Sequence, residues 1–526
     1  MFDLLFKNGR VVDGSGQPWF SADVALLGDR IVDVGKFPGI KARKEIDCSG
    51  QVVAPGLVDT HVHGDLVPFL DPMHEPAIRQ GITTYIVGQD GVAMAPGKRA
   101  TIESMCQYTA GFSMGKVFLD KGMSPFWTSI GEYLAAVKGK CALNIATLIP
   151  NGNVRMEVLG HENRSATPVE MQRMQELIRE GMEEGAVGLS TGLDYIPSRF
   201  ADTQELIQVC QAVAPYGGIY VTHMRRYDPE GLAVSMAEVF QIGREAGLGT
   251  HISHFNSAAN LALPLLDQER AAGGDCTFDL YCYLAGSTIL GMIALPAEIQ
   301  QGGREATLQR LADAVERQKL AAWFESPRVL LGNVSLTYLA HPEWTRFEGL
   351  SLPVAALQYA GGEGPKEIGR FVCDALVACQ LAVGCIAPHR NRDESDIAGF
   401  MTHPAMMGGS DGIYTGGSPH PRGRGCFARY LGHYVRQGVW TLETAISRLS
   451  YHGARRHGLR DRGLLLKGMA ADVIVFDQEK IQDQAWFGSG AQLAAGMKHV
   501  YVNGQAVLEN GVRTATLPGR GLKRGS

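Results

Sequence analysis

The stretch LVDTHVH, residues 57–63, is an apolar run that predicts a β-strand and ends in two histidines, His61 and His63. Side chains two residues apart on a strand point to the same side. We therefore expect the two imidazoles to leave this strand together at its carboxyl end.

Seven further apolar runs follow along the chain and alternate with segments of helical pattern. This alternation is typical of a parallel sheet built from βα units, and eight strands are the number that closes a TIM-type (β/α)8 barrel. Helix starts are recognisable between the runs, as at Thr167-Pro168 with Glu170 and at Asp202 with Glu205. The predicted strands are 57–63, 82–88, 144–149, 186–191, 219–224, 249–255, 276–281 and 405–411.

The two ends of the chain differ from this middle part. Residues 1–54 and 461–526 contain short strands with glycine turns, and we predict that they form one small β-domain beside the 55–460 barrel. The span of about 284–404 between strands seven and eight is too long for one crossover. It predicts an inserted subdomain on the functional face of an α/β protein.

Composition narrows the class of partner. A formal net charge of -5 provides no basic field for nucleic acid or an anionic membrane, and no stretch approaches the roughly 20 apolar residues of a membrane span. The N-terminus lacks a signal-peptide pattern, and the ten cysteines form no CxxC pair. We expect a cytoplasmic protein with buried thiols and a small-molecule substrate, and the sequence leaves the oligomeric state open.

Chemistry-bearing residues collect at the carboxyl ends of the predicted strands, where barrel enzymes build their active sites. His223 ends strand five, His254 ends strand six and Asp411 ends strand eight. Imidazoles and a carboxylate that converge from separate strands are what a hydrolytic zinc ion requires, with one position left open for water. Asp411 suits a general acid/base beside such an ion.

Several longer motifs carry a family resemblance that covers nearly the whole chain. They are similar to the D-aminoacylase (N-acyl-D-amino-acid deacylase) family of the amidohydrolase superfamily. The resemblance implies a zinc-dependent (β/α)8 hydrolase with one or two metal ions and a small β-sandwich made from both termini. It also implies cleavage of the amide of an N-acyl-D-amino acid. The motifs are GLVDTHVH, GLSTGLDYIPSRFADTQEL, YVTHMR, HISHFN, DLYCYLAGST, GGSDG and SPHPRGRGCFARYLGHYVR.

Carried over residue by residue, the resemblance assigns the metal pair to His61 and His63, further ligands to His223 and His254, and the acid/base to Asp411. His251 is a rival to His254. We prefer His254 because it follows Ser253 as the family's ligand does, whereas His251 lies deeper in the strand and on its opposite face. For recognition of a substrate carboxylate the candidates are Tyr283, Ser287 and Arg422, and His420 either lies in the mouth or shapes the loop.

Asp90, in TTYIVGQDGVAMAP (83–96), departs from the family pattern. By itself an Asp-Gly after a strand is ordinary turn chemistry. The family usually has a metal-bridging cysteine at this position, so the resemblance implies that Asp90 is a metal ligand. Oxygen in place of sulfur shifts preference toward harder ions or two-metal occupancy. Strand four ends in Ser190-Thr191 and offers no alternative bridging lysine.

Two further departures concern the substrate. Asn256 stands where the family usually carries a lysine that helps to hold the substrate's α-carboxylate, and Asn151 stands where it usually has a histidine. We keep both positions as substrate-binding candidates. The lost lysine also admits a cyclic amide, a carbamoyl compound or an N-acylated secondary metabolite as substrate. A third hypothesis, a barrel that has lost catalysis and serves as a scaffold, conflicts with retention of the four histidines and Asp411.

Overall fold

Each of the eight predicted strands overlaps a parallel strand in the computed structural model, which describes residues 1–123, 126–326, 329–390 and 392–526, and several observed strands end earlier than predicted. Each strand pairs with its neighbours in chain order, with the short strand Ile149–Pro150 linking the third to the fourth. They are β1 (Leu57–Asp59), β2 (Ile82–Val87), β3 (Asn144–Thr147), β4 (Gly188–Gly192), β5 (Ile219–His223), β6 (Gly249–Ile252), β7 (Cys276–Leu280) and β8 (Met406–Gly408).

Hydrogen bonds also join the last strand to the first. The Thr60 N–H donates to the Gly408 carbonyl over 3.2 Å, and Val62 forms a parallel bridge with Gly412. Every residue of β2 and β4 is buried, as expected of parallel strands covered on both faces. The carboxyl ends of all eight strands therefore meet around one opening, where the predicted site residues lie.

Helices follow the strands and cover the sheet. The predicted capping box is present: the Glu170 N–H donates to the Thr167 hydroxyl, and the Glu170 carboxylate accepts from the Thr167 N–H. Asp202 likewise caps its helix by accepting from the Glu205 N–H. The helices are Val67–Leu70, Glu75–Ile78, Arg99–Tyr108, Gly115–Asp120, Ile130–Val137, Asn151–Leu159, Pro168–Glu184, Thr203–Gln211, Leu232–Ala246, Ala259–Ala271, Arg422–Arg429, Leu442–Leu449 and Tyr451–Arg456, with a π turn at Tyr430–Tyr434 and 3-10 turns at Gln89–Gly91, Ser198–Phe200 and Ala214–Tyr216.

The two chain ends form a single nine-stranded sheet with its own apolar cluster. The sheet is continuous across the termini because Val473–Phe476 pairs antiparallel with Val52–Pro55. The strands are Phe2–Val11, Phe20–Leu27, Arg30–Gly35, Ala42–Asp47, Val52–Pro55, Val473–Phe476, Met497–Val502, Gln505–Glu509 and Val512–Arg513.

The segment between β7 and β8 contains a separate three-stranded antiparallel sheet and a second apolar cluster. Its strands are Ala285–Ile289, Ser335–Leu339 and Val383–Pro388. Its helices are Leu290–Ala294, Ala297–Gln300, Gly303–Ala312, Ala314–Phe324, Leu352–Ala360, Pro365–Ala378 and Glu394–Thr402, with a 3-10 turn at Thr345–Phe347. We refer to residues 284–404 of this segment below as the insert.

The ten cysteines are all buried and unpaired, as predicted. Among the described residues, no helix combines the length and the apolar composition that a membrane crossing requires.

Candidate metal centre

Five buried side chains converge at the carboxyl ends of β1, β2, β6 and β8. They form two overlapping groups whose ligand atoms lie close together, His61 with Asp90 and His254, and His61 with His63 and Asp411. Histidine nitrogens and carboxylate oxygens are the donors that zinc and harder divalent ions prefer. The sequence separations reach 350 residues, so only the strand order brings these groups together.

The donor separations fit shared metal ions. Two ligand atoms bound to one zinc at about 2.1 Å in tetrahedral geometry lie about 3.4 Å apart. Nε2 of His63 lies 3.2 Å from Oδ1 of Asp411, and Nε2 of His61 lies 3.6 Å from Oδ1 of Asp90. Oδ2 of Asp90 lies 3.6 Å from Nε2 of His254. The two oxygens of Asp90 thus face different histidines.

His223 completes the histidine set from the end of β5. Its Nδ1 lies 3.0 Å from Nε2 of His254 and 3.9 Å from Oδ2 of Asp90. Its other nitrogen, Nε2, lies 3.5 Å from Oδ2 of Asp194 in the loop after β4. An acceptor on one ring nitrogen leaves the lone pair of the other free for a metal. Nδ1 is therefore the atom of His223 that faces the cluster.

Four side-chain atoms of this cluster that could bind a metal are buried and have no hydrogen-bond partner among the described residues. They are His61 Nε2, His254 Nδ1, Asp90 Oδ1 and Asp411 Oδ1. A buried polar atom left without a partner is costly and calls for an ion or a water. Three of the four, all but His254 Nδ1, point at the other ligand atoms of the two groups. The residues present therefore fit one or two bound divalent cations.

The carboxylates of the cluster stay ionised. Burial alone would raise the pKa of Asp90, but His61 and His254 hold this pKa well below its ordinary value. Burial would likewise raise the pKa of Asp411, and the Arg422 guanidinium and His63 hold it below the ordinary value. Nη1 of Arg422 lies 2.9 Å from Oδ2 of Asp411. Both groups are therefore anionic at neutral pH, as metal ligation and proton acceptance require.

Three of the cluster residues adopt left-handed backbone conformations. The φ angles are 54° at Asp90, 32° at His254 and 49° at Asp411. Residues other than glycine enter this region at a cost of about 1 kcal/mol or more, and such strain collects at functional sites. In each case the chain has just left a strand, and the reversal keeps the side chain at the opening.

Asp279, near the end of β7, is a site residue that the sequence interpretation missed. Its Oδ2 accepts from Nδ1 of His61 over 3.2 Å and lies 3.0 Å from Nε2 of His251, while its Oδ1 accepts from the backbone N–H of His254. The His61 contact fixes the tautomer that presents Nε2 to a metal. The signal was an Asp one residue before the end of a strand, in DLYCY.

We predict that Asp279→Asn lowers metal affinity and kcat/KM by about 10- to 100-fold, because His61 loses the anionic acceptor that orients it. Equilibrium titration of the metal-depleted protein with Zn²⁺ measures the affinity. Asp267→Asn is the matched control, since Asp267 contacts His403 over 2.9 Å far from the cluster. Unchanged Zn²⁺ affinity in Asp279→Asn would contradict this role.

The structure favours His254 over His251, as the sequence analysis preferred. His254 borders the cavity, whereas both ring nitrogens of His251 contact groups inside the sheet, Thr277 and Asp279. His251 therefore helps to place Asp279 and has no free nitrogen for a metal.

A cavity of about 220 Å³ opens over the cluster. One wall comes from the loops after the strands, and the insert forms the other, as predicted for a segment on the functional face. Residues from the loops and strand ends are His63, Asp90, Phe112, Tyr195, His223, Tyr227, His254, Asn256, Tyr281, Asp411 and Arg422; those from the insert are Gly286, Ser287, Thr288, Met292, Ala387, Pro388 and His389.

Three of the predicted substrate-binding residues line this cavity: Ser287, Asn256 and Arg422. The Arg422 guanidinium stacks on the Tyr281 ring with its carbon 4.5 Å from the ring centre, and its Nη2 donates to the Ser287 carbonyl over 3.2 Å. Arg422 is thus fixed between the predicted acid/base and the insert.

Tyr283, His420 and Asn151, which we predicted as substrate-binding, do not line the cavity. The Tyr283 ring packs on His420. Tyr281, two residues earlier, lines the cavity instead. His420 accepts from the Arg422 N–H and contacts the Ala285 carbonyl, so it shapes the loop. Asn151 is fully buried at the start of the helix Asn151–Leu159.

Comparisons with known proteins agree with this geometry. The model of the Amidohydrolase family matches residues 44–508. A D-aminoacylase of Alcaligenes xylosoxydans xylosoxydans is 33% identical over 99% of this chain and 98% of its own. A solved D-aminoacylase with a binuclear metal centre superposes with a TM-score of 0.81 at 31% identity, covering 100% of both chains.

A second solved structure is an N-acyl-D-glutamate deacylase from Bordetella bronchiseptica, complexed with zinc and a phosphonate inhibitor that mimics the tetrahedral intermediate. It is 28% identical to this chain, covers 99% of both chains and has a TM-score of 0.81.

Proposed function

Because the chain belongs to the amidohydrolase family, we propose that it is a metal-dependent N-acyl-D-amino-acid deacylase, which hydrolyses the amide to a carboxylate and a free D-amino acid. The observation that carries this proposal is the cluster of four histidines and two aspartates at one end of eight parallel strands. Its donor separations of 3.0–3.9 Å suit one or two zinc ions.

We assign metal binding to His61, His63, Asp90, His223 and His254. When bound, a zinc ion in such a site lowers the pKa of an attacking water to about 7 and polarises the amide carbonyl. Asp411 accepts the proton of that water and returns it to the leaving nitrogen, which needs an ionised carboxylate within reach of both. Arg422, 2.9 Å from Asp411, keeps this carboxylate ionised and oriented.

The remaining assignments concern architecture and substrate. We propose that residues 55–460 form a (β/α)8 TIM-type barrel, interrupted by the insert at about 284–404. In this proposal 1–54 and 461–526 form a small β-sandwich. The eight parallel strands, with hydrogen bonds between the last and the first, and the shared terminal sheet support this division. Ser287, Asn256 and Arg422 would contact the substrate from the cavity wall.

The proposed function is tested with zinc-loaded enzyme and matched N-acetyl-D- and N-acetyl-L-amino acids with leucine, methionine, phenylalanine, glutamate and aspartate side chains. We expect turnover of at least one D-substrate, with kcat/KM for its L-enantiomer lower by about 100-fold or more, because inversion moves the scissile carbonyl away from the acid/base. Release of the free amino acid is the readout.

An Asp411→Asn preparation serves as the control for contaminating hydrolases. Absence of turnover with every D-substrate would overturn the deacylase assignment. Metal analysis of the wild-type protein as purified, before any zinc is added, addresses the scaffold hypothesis. A scaffold has no reason to bind zinc, manganese or iron at this cluster.

A further inference from the structure

Arg392, in the insert, is a buried cation behind the cavity wall. It is 8% exposed, and it reaches across the fold to residues that border the cavity. Its Nη1 donates to Oδ1 of Asn256 over 2.6 Å, and its Nη2 donates to the Tyr281 carbonyl over 3.3 Å. Its Nε is buried without a hydrogen-bond partner among the described residues.

The charge of Arg392 is not balanced locally. Within the described ranges it has no carboxylate ion-pair partner, and both oxygens of Asp396 are engaged by the backbone N–H groups of Ala259 and Asp393. The other guanidinium beside the cavity, Arg422, is balanced by Asp411. A buried, unpaired charge is costly unless a binding partner supplies the opposite charge.

Asn256 connects this charge to the cavity. Arg392 only donates, so the atom that it contacts on Asn256 is the amide oxygen, and the NH2 group faces the other way. One of its hydrogens goes to the Tyr281 hydroxyl over 2.8 Å, and that hydroxyl lies 2.9 Å from Nε2 of His389. The second hydrogen has no acceptor among the described residues, and Asn256 borders the cavity.

The histidine on this wall adds no competing charge. Burial and the two nearby guanidiniums, Arg392 and Arg422, keep the pKa of His389 well below its ordinary value, so its imidazole is neutral. The wall formed by Asn256, Tyr281 and His389 therefore carries no charge of its own and is backed by one cation, Arg392.

We propose that Arg392, acting through Asn256, is the positioning residue that holds a carboxylate of the substrate against this wall. The inference rests on the proposed function, and it deepens it by naming the residue that makes this site prefer the free acid of an acylated amino acid to the corresponding uncharged amide. The anion supplies the charge that Arg392 lacks, and the second Asn256 hydrogen supplies a direct contact.

Binding to the zinc-loaded enzyme tests this proposal independently of turnover. The probes are N-methanesulfonyl-D-leucine and its primary carboxamide, whose sulfonamide bond an amide hydrolase does not cleave. We expect calorimetry to show that the wild-type protein binds the acid at least about tenfold more tightly than the carboxamide. In Arg392→Gln we expect the ratio of the two dissociation constants to fall toward one. Arg392→Lys should restore part of it, because a cation is retained.

Arg390→Gln is the matched control, since Arg390 is an exposed arginine of the same loop that donates to the Leu330 carbonyl. It should keep the wild-type preference. With turned-over substrates, Arg392→Gln should raise KM for the acid by about 10- to 100-fold and change kcat less.

Equal weakening of acid and amide in Arg392→Gln would show a merely structural role and overturn the proposal, as would a wild-type protein without preference for the acid. A preference for the acid that disappears in Arg392→Gln supports the proposal even if no N-acyl-D-amino acid is hydrolysed. Failure of the deacylase assignment is thus distinguishable from failure of the role proposed for Arg392.

Discussion

Asp411→Asn is expected to lower kcat/KM by about 10²- to 10⁴-fold while the protein keeps its fold. The asparagine side chain has nearly the same shape but cannot accept a proton from water at neutral pH. In the wild-type protein Nη1 of Arg422 lies 2.9 Å from Oδ2 of Asp411. The substitution leaves this buried guanidinium without its counter-charge. We therefore expect a loss in kcat that higher substrate or zinc concentrations do not restore.

Two measurements separate the loss of a base from the loss of metal. Zinc content of Asp411→Asn should stay at one equivalent or more, because His61, Asp90 and His254 form a ligand group without Asp411. Circular dichroism and the unfolding midpoint report the fold. A variant that keeps full zinc content and more than about a tenth of wild-type kcat would rule out the acid/base assignment.

Asp90→Ala is expected to lose at least one metal equivalent and to reduce turnover by about 10²-fold or more. Both Asp90 oxygens face histidine nitrogens, with Oδ1 3.6 Å from His61 Nε2 and Oδ2 3.5 Å from His63 Nε2. Removal of this carboxylate leaves His61, His63 and His254 without the anion that faces all three. The measurements are metal content by mass spectrometry and kcat/KM at saturating zinc.

Two companion variants distinguish a metal ligand from a turn residue at this position. Asn tolerates the left-handed φ of 54° as well as Asp does, so Asp90→Asn keeps the turn and removes only the charge. We expect it to behave like Asp90→Ala. Asp90→Cys supplies a thiolate and should retain part of the metal and activity. Full metal content and turnover in the asparagine and alanine variants would leave Asp90 as a turn residue alone.

The protein environment of Asp90 explains why this substitution for the family's cysteine is compatible with metal binding. The carboxylate is 2% exposed, and burial would raise its pKa, yet His61 and His254 hold this pKa well below its ordinary value. A harder, two-atom donor can contact two ions at once, whereas a thiolate offers one softer atom.

Much of the fold was readable from the sequence because its signals are local. Apolar runs of strand length, capping residues such as Thr167 and Asp202, and an i, i+2 histidine pair depend only on neighbours along the chain. The order of eight parallel strands then places every strand end at one opening. For this reason the sequence alone could select His61, His63, His223, His254 and Asp411 as a group that the structure brings together.

Prediction from the sequence was least accurate at positions where the chain leaves a strand and turns. Tyr281 and Tyr283 lie two residues apart, and both were compatible with the motif, but only Tyr281 borders the cavity. Asp279 carries a strand-end carboxylate that the sequence analysis did not select, because its importance depends on the distance to His61 across the sheet.

What the sequence by itself determined is therefore the strand pattern and the candidate set of metal ligands at the strand ends, since the apolar periodicity locates each strand and its last residues, while the family resemblance adds Asp90. The tertiary structure alone decided which groups meet across long separations. Arg392 contacts Asn256 from 136 residues away, and no local pattern encodes that contact. It exists because the insert packs over the opening and brings the Arg392 guanidinium behind the cavity wall.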